Sequence, residues 1–363
     1  MRSTYYFFLG TAAEYIKMMP VIRAFKQKKL PFKVIASGQN DITRSELHSD
    51  SGISNIDITL TSKPITPTPL GLGWWWITTF FKGYALLNSE FSDKRPVCIV
   101  HGDTVSTLLG ACLAKSLGAQ VAHVEAGLRS YNFFSPFPEE INRVLTSRLA
   151  NFHYSPNQWA MHNLRSVSGK KINTQGNTLM DSMQIALRKQ HSKDIKKIKS
   201  QSKYFLAVIH RQENVLNKET MTQLISLIAA ASKKKRCVFI LHSLTKKYLA
   251  EYNLLPKLSK NKNITCVDRV PYADMMYLMS HASFIITDGG SNQEETYYLG
   301  IPTLVLRKNT ERIEGLGRNV VMSGLQLDVM RDFINHFSRY VFPKVKPSIS
   351  PSKIIANSLA LIK

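Results

Sequence analysis

The sequence is poor in acidic residues, in paired cysteines and in long apolar runs, and each shortage narrows what the protein can be. Only 25 Asp and Glu stand against 48 Lys and Arg, a formal charge of +23. This excess predicts an anionic partner: a nucleic acid, an acidic membrane surface or a phosphorylated small molecule. None of the four cysteines forms a CxxC pair, which fits free thiols in a reducing compartment.

Two further absences bear on location and partner. No stretch reaches the ~18 apolar residues of a membrane span, and the apolar stretch near the N-terminus is too short for a signal-peptide core. A cytoplasmic protein is therefore expected. No zinc-finger spacing or RNA-binding motif is present, so nucleic acid is not the expected partner.

The pattern that is present is an alternation of short apolar runs and helical segments, over a length of 363 residues that suggests two domains. Strand, turn, helix, strand is typical of parallel α/β sheets. We expect two doubly wound, Rossmann-like domains that face each other across a cleft, at 1–171 and 172–344. The polar segment 166–177 is the expected hinge, and a C-terminal helix at about 345–363 is expected to pack back on the first domain.

Carboxylates follow the predicted strands of the first half, where ligands of α/β sheets bind. Asp103 and Glu125 each stand at a strand end, and Glu139 follows nearby. Acids that share a cleft repel one another, so at least one should have a raised pKa and be available for proton transfer. The alternative is structural, because Asp103 could cap a helix at Thr104 and Glu139 could occupy a first helical turn.

In the second half, small and basic residues follow the strands. Gly289, Gly290 and Ser291 precede a helical run and could admit a phosphate to its N-terminus. Glu295, one turn later, could bind ribose hydroxyls, and Arg312 could bind a diphosphate. His210 ends another strand, where it could bind phosphate or transfer a proton. Taken singly, each could instead belong to an ordinary turn or surface loop.

Longer motifs contain these residues. They are HGDTVSTL (101–108), HVEAGLRS (123–130), SPFPEEINR (135–143), IHRQEN (209–214), SNQEETYYLGIPTLVLR (291–307) and NTERIEG (309–315). In this order they resemble the non-hydrolysing UDP-N-acetylglucosamine 2-epimerases, over most of the chain. The resemblance implies the glycosyltransferase-B fold, commonly as a homodimer. It also implies inversion at C2 of UDP-GlcNAc by elimination and re-addition of UDP, for surface polysaccharide synthesis.

The resemblance also implies roles for individual residues. Asp103, Glu125 and Glu139 match the catalytic carboxylates, and His210 matches the histidine near the phosphates. The remaining positions expected to bind the UDP-sugar are Lys17, Arg143, Arg211, Gly289, Gly290, Ser291, Glu295 and Arg312. No metal and no organic cofactor is expected.

The chain departs from the family pattern in three places. Ala12 replaces the arginine of a G-T-R-P-E loop, and Gly289-Gly290-Ser291 replaces an S-G-G turn. Gln39-Asn40-Asp41 replaces the Q-H-R motif that binds a second, activating UDP-GlcNAc, and the arginine expected near position 73 is missing. The sequence therefore does not support activation by a second substrate molecule.

The segment Trp74-Trp75-Trp76 is more aromatic than its family equivalent. Together with the basic charge it suggests peripheral contact with a membrane; the alternative is aromatic burial between domains or in a dimer. Two other functions stay open at this point, a membrane-associated glycosyltransferase of the same fold and a non-catalytic UDP-sugar sensor.

Overall fold

A computed structural model describes residues 4–42, 55–62, 68–91, 96–133, 137–345 and 348–362. The chain divides into two compact units, Met1–Ser182 with Pro347–Lys363, and Met183–Lys346. Most of the segment SPFPEEINR is described, but its first two residues lie outside these ranges.

The first unit contains a parallel sheet in the order β3-β2-β1-β4-β5-β6-β7. Its elements are β1 (Tyr5–Leu9), α1 (Ala12–Gln27), β2 (Phe32–Ala36), β3 (Ile58–Thr59), α2 (Pro69–Phe91), β4 (Val97–His101), α3 (Val105–Ser116), β5 (Gln120–Val124), α4 (Glu139–Leu149), β6 (Phe152–Ser155), α5 (Gln158–Asn163), β7 (Lys170–Asn173) and α6 (Thr178–Leu187). The last helix crosses into the second unit.

The second unit repeats this plan with a parallel sheet in the order β10-β9-β8-β11-β12-β13. Its elements are α7 (Lys193–Gln201), β8 (Tyr204–Val208), α8 (Gln212–Val215), α9 (Lys218–Ser232), β9 (Arg236–Leu241), α10 (Ser243–Glu251), α11 (Leu255–Ser259), β10 (Ile264–Asp268), α12 (Tyr272–His281), β11 (Ile285–Thr287), α13 (Gly290–Leu299), β12 (Thr303–Val305), β13 (Val320–Met322), α14 (Leu327–His336) and a 3-10 turn (Phe337–Tyr340). The C-terminal helix α15 (Pro351–Leu359) belongs to the first unit.

Buried apolar strands form the centre of each unit. β1, β4 and β8 are buried along their whole length, as expected for parallel strands that are covered by helices on both faces. The C-terminal helix α15 packs beside α1, and the Tyr5 hydroxyl donates a hydrogen bond of 2.6 Å to the Leu359 carbonyl. The first strand of the chain is thus tied to its last helix.

One local expectation was wrong, and one structural alternative does not hold. The polar segment 166–177 is not a hinge, because Lys170–Asn173 pairs with β6 as the edge strand β7 of the first sheet. The division between the units falls later, within α6. Asp103 does not cap α3; the Thr104 side chain does, by accepting a hydrogen bond from the Thr107 amide.

Candidate active site

Asp103 and Glu125 follow β4 and β5, which are hydrogen-bonded neighbours in the first sheet. Parallel strands end at the same edge of a sheet, so the two residues leave it side by side. Glu125 has a left-handed backbone, with φ of 66°. Such strain in a non-glycine residue is typical of functional sites.

Helix α4 is tied to Asp103 by polar contacts. Glu139 is its first residue, the Asn142 side-chain amide donates to the Asp103 carbonyl at 3.0 Å, and the Arg143 guanidinium pairs with the Asp103 carboxylate. The first unit therefore places all three predicted carboxylates in one region.

Buried groups surround the Glu125 carboxylate. Lys17 Nζ lies 2.8 Å from its Oε2, the Asn177 amide donates to the same oxygen, and His101 Nε2 lies 3.5 Å away. Lys17 is only 7% exposed. The residue that the family pattern assigns to nucleotide binding is thus, in this chain, the counter-ion of a candidate catalytic acid.

Sequence reasoning missed two buried acids that support this region. Glu14 accepts hydrogen bonds from the Gly10 amide at 2.6 Å and the Thr11 amide at 2.9 Å, and from the Thr104 hydroxyl beside Asp103. Burial raises the pKa of Glu14, although these hydrogen bonds oppose the rise. The signal was present, because Thr11-x-x-Glu14 forms a capping box.

The second missed acid is Glu140. It pairs with Arg129 and, at 2.7 Å, with Arg143, and it accepts the Ser130 amide at 2.9 Å. Burial acts to raise the pKa of Glu140, but the Ser130 amide and the two guanidinium groups outweigh it and the pKa lies below its usual value. Glu140 therefore orients the same arginine that pairs with Asp103.

In the second unit, His210 and Asp288 follow adjacent strands, β8 and β11. The buried Asp288 carboxylate accepts the backbone amides of His210, at 3.0 Å, and Arg211, at 2.9 Å. His210 Nδ1 lies 3.2 Å from Asp288 Oδ1. A carboxylate on Nδ1 favours the tautomer with its proton there and leaves Nε2 for a ligand. Sequence reasoning assigned no role to Asp288.

Helix α13 begins immediately after Asp288, with Gly289 as its N-cap and Gly290 as its first residue. A Cβ atom on Gly289 would lie 2.9 Å from His210 Cε1 and 2.6 Å from Asn292 Oδ1. Any larger residue at position 289 would therefore force these side chains to shift. The amides of Gly290 and Ser291 stand at a helix N-terminus, where a phosphate is stabilised.

Glu295 and Arg312 are both buried, and each has a protein partner. Glu295 accepts the Asn292 side-chain amide at 2.9 Å, and Arg312 pairs with Glu294. Glu311 lies 3.0 Å from Arg307 and 3.7 Å from Arg211. Glu294, Arg307 and Glu311 were not predicted, because their roles depend on contacts between distant segments.

The described residues contain no group of three or more His, Cys, Asp or Glu side chains placed to hold a metal ion. Nor does any helix in the described ranges have the length and apolar character needed to cross a membrane.

Two parallel α/β units, with carboxylates at the strand ends of one and a glycine-flanked helix N-terminus in the other, define a protein of the nucleotide-sugar enzyme class with the glycosyltransferase-B fold. The family model described as UDP-N-acetylglucosamine 2-epimerase matches residues 23–335. The chain belongs to this family, and the resemblance read from its motifs is confirmed.

Individual relatives agree. The chain is 37% identical over 323 residues to a UDP-N-acetylglucosamine 2-epimerase of Methanococcus maripaludis, which covers 86% of this chain and 85% of that protein. It is similar to the crystal structure of the Methanocaldococcus jannaschii enzyme in complex with UDP-GlcNAc and UDP, with a TM-score of 0.81 and 28% identity over 99% of each chain. The Neisseria meningitidis enzyme bound to UDP-GlcNAc matches with a TM-score of 0.83 and 30% identity over 99% of each chain.

Proposed function

We propose that this protein interconverts UDP-GlcNAc and UDP-ManNAc, or acts on a closely related UDP-HexNAc. The observation that carries the proposal is the similarity, over nearly the whole chain, to epimerases solved with UDP-GlcNAc bound. A second support is the group of candidate acids in the first unit, Asp103, Glu125 and Glu139. The family membership favours this reaction over glycosyl transfer.

The reaction divides into an elimination and an addition, and each step needs both a proton-transfer group and groups that bind UDP. In the first, a carboxylate takes the C2 proton while the C1–O bond breaks and UDP leaves with the electron pair, so that a 2-acetamidoglucal remains. In the second, C2 is protonated on the opposite face and UDP adds again at C1. Proton transfer of this kind requires acids or bases on both faces of the sugar.

Asp103, Glu125 and Glu139 are the proposed proton-transfer groups. The Arg143 guanidinium beside Asp103 and the Lys17 ammonium beside Glu125 balance the negative charge of these two carboxylates. Such balance allows several acids to share one region despite their repulsion.

The residues of the second unit would hold UDP before and after it leaves. Arg211 and Arg312 bring donors and positive charge beside His210, and the amides of Gly290 and Ser291 add the N-terminus of α13. Preorganised donors of this kind stabilise the charge that develops on a leaving diphosphate. Glu295 would accept hydrogen bonds from the ribose.

Incubation with UDP-GlcNAc in heavy water, followed by NMR, tests the proposed activity. Epimerisation predicts deuterium at C2 of both sugars and the appearance of UDP-ManNAc. Asp103→Asn should stop exchange while UDP still binds, as measured by calorimetry. Absence of exchange with UDP-GlcNAc and with other UDP-HexNAc substrates would refute an epimerase.

We further propose that two copies of the chain pair through helix α2. Five exposed apolar residues, spaced alternately by four and three positions, form what we call the α2 stripe: Leu70 at 88% exposure, Trp74 at 70%, Ile77 at 48%, Phe81 at 68% and Tyr84 at 42%. This spacing is that of a helix-pairing seam. Of the three consecutive tryptophans, only Trp74 belongs to the stripe, since Trp75 is buried and Trp76 stacks on Phe80.

The charge of α2 favours a second copy of the chain, and not a lipid surface, as the partner of the α2 stripe. Lys82 and Glu90 are the only charged residues in the sequence of α2, whereas helices that lie on membranes usually have a strongly basic polar face. In a chain of charge +23, an uncharged apolar stripe is a surface at which two copies can approach without strong repulsion.

Sedimentation velocity at micromolar concentration tests this pairing. The unmodified protein should sediment as a dimer, and Trp74→Asp with Phe81→Asp should shift it to a monomer with unchanged circular dichroism. Lys82→Gln is the matched control on the same helix. A monomeric unmodified protein would overturn the pairing, and its co-sedimentation with anionic vesicles would assign the stripe to a membrane.

A further inference from the structure

Two histidine rings stack at the strand ends of the second unit. The ring centroids of His210 and His242 are 4.8 Å apart, with an angle of 20° between the planes. The strands that carry them, β8 and β9, are paired in register with Val208 opposite Ile240. Each histidine lies two residues beyond its member of this pair, so the sheet itself sets the rings side by side.

The His242 ring does not cap the helix that it precedes. His242 occupies the N-cap position of α10, but its side chain makes no capping hydrogen bond there. Helix α10 is instead anchored by Thr245, whose hydroxyl donates to the carbonyl of Ile209, the residue before His210. This bond connects the start of α10 to the end of β8, and so restrains the two histidines relative to each other.

Charged groups around His242 determine the form in which it stacks. Burial, together with the nearby His210 and Arg269, lowers the pKa of His242 to about 4, although Asp288 opposes the decrease. At neutral pH the His242 ring is therefore uncharged. A neutral aromatic ring packs well against an imidazole in either protonation state.

Three neighbours lie close to the His210 ring. Asp288 Oδ1 lies 3.2 Å from Nδ1, the His242 ring stacks on one face, and Gly289 is so near that a Cβ atom on it would lie 2.9 Å from Cε1. The side chain is still 34% exposed, so part of the ring remains accessible to a ligand.

We propose that His242 is a positioning residue, which holds the His210 ring in the orientation set by Asp288 through stacking and not through contact with the substrate. This inference rests on the proposed function only for its kinetic consequence, since the orientation of His210 can be observed without turnover. It adds a residue outside the motifs that identify the family in this sequence.

The test uses the full chain labelled with 15N-histidine and compares three forms: unmodified, His242→Ala and His242→Phe. Long-range 1H–15N spectra report the tautomer of His210, whose signals are assigned with a His210→Gln variant. In His242→Ala the single tautomer should give way to a mixture, and kcat should fall about tenfold with KM for UDP-GlcNAc nearly unchanged. His242→Phe keeps a ring at this position, and should rescue the tautomer and most of kcat.

Two results would overturn the proposal. An unchanged His210 tautomer in His242→Ala would show that stacking does not orient the ring. Equal loss in His242→Ala and His242→Phe would show that the His242 nitrogens, and not the ring face, are used. If the unmodified protein turns over no UDP-GlcNAc, the proposed function fails, and the spectra still decide the role of His242.

Discussion

Lys17 Nζ lies 2.8 Å from Glu125 Oε2, and both side chains are buried in the first unit. Lys17 belongs to α1 and Glu125 follows β5, so the contact joins distant segments of the chain. A lysine expected to bind nucleotide is thereby part of the interior that supports a candidate catalytic acid.

Lys17→Met should therefore destabilise the protein, because it leaves a buried carboxylate without its cation. We expect the free energy of unfolding to fall by about 3 kcal/mol, as measured by urea denaturation. The double variant Lys17→Met with Glu125→Gln removes both charges and should regain much of this loss. Strictly additive effects of the two substitutions would contradict a coupled pair.

Glu139 and Glu140 are adjacent in the chain, but substitution of Glu139 should affect turnover and substitution of Glu140 should affect thermal stability. Glu139→Gln should lower kcat by about 10²- to 10⁴-fold, as expected for loss of an acid or base, with an unchanged melting temperature. Glu140→Gln removes the partner of Arg129 and Arg143 and should lower the melting temperature. Thermal denaturation and the heavy-water assay, run on both variants, separate the roles; the reverse pattern would assign the catalytic part to Glu140.

The stability contribution of Asp288 should depend on pH. Burial acts to raise its pKa, but His210 and the amides of Arg211 and His210 outweigh burial and lower it in the folded protein. Between the folded and unfolded pKa values the unfolded chain binds more protons, so stability rises with pH in this window. The contribution is complete above the unfolded value of about 3.9 and is lost as pH falls through the folded value.

Urea unfolding of the unmodified protein and of Asp288→Asn tests this. Near pH 7 the variant should be less stable by about 2 kcal/mol, because hydrogen bonds to a charged group are lost. The difference should stay constant down to about pH 5 and shrink below about pH 4. A difference that is constant to pH 3 would show that ionised Asp288 does not stabilise the fold.

Gly289→Ser restores the first residue of the family's S-G-G turn, yet should impair this chain. Its Cβ atom would meet His210 Cε1 at 2.9 Å and Asn292 Oδ1 at 2.6 Å, so one of these side chains must move. We expect kcat for UDP-GlcNAc to fall about tenfold as His210 is displaced. Adding Asn292→Ala removes only the second contact; full recovery in that double variant would show that His210 was not the group displaced.

The positions of the strands could be predicted from the residues alone. β1, β2 and β5 lie in short, mostly apolar runs of the sequence, as expected for parallel strands covered by helices. The placement of Asp103, Glu125, His210 and Gly289 after such strands also follows from the sequence, since ligands of parallel sheets bind at the carboxyl ends.

The assignment of buried charged residues could not be predicted. Glu140 and Glu311 resemble surface acids in sequence, yet each is buried against arginines. A charged side chain is usually expected at the surface. Whether it is buried instead depends on which helix covers it in the fold. The N-cap of α3 is Thr104 and not Asp103, and the Thr104 hydroxyl also donates to Glu14 from a distant segment.

The sequence by itself determined the α/β class, the parallel strands and the family, because these depend on residue periodicity and on motifs that lie within single segments. Only the tertiary structure decided that Lys17 pairs with Glu125, that Asp288 orients His210, that His242 stacks on it and that Trp74 is exposed while Trp75 is buried. These contacts join strands and helices far apart in the chain. The sheet order places β8 beside β9 and β11, and so brings His210 next to both His242 and Asp288.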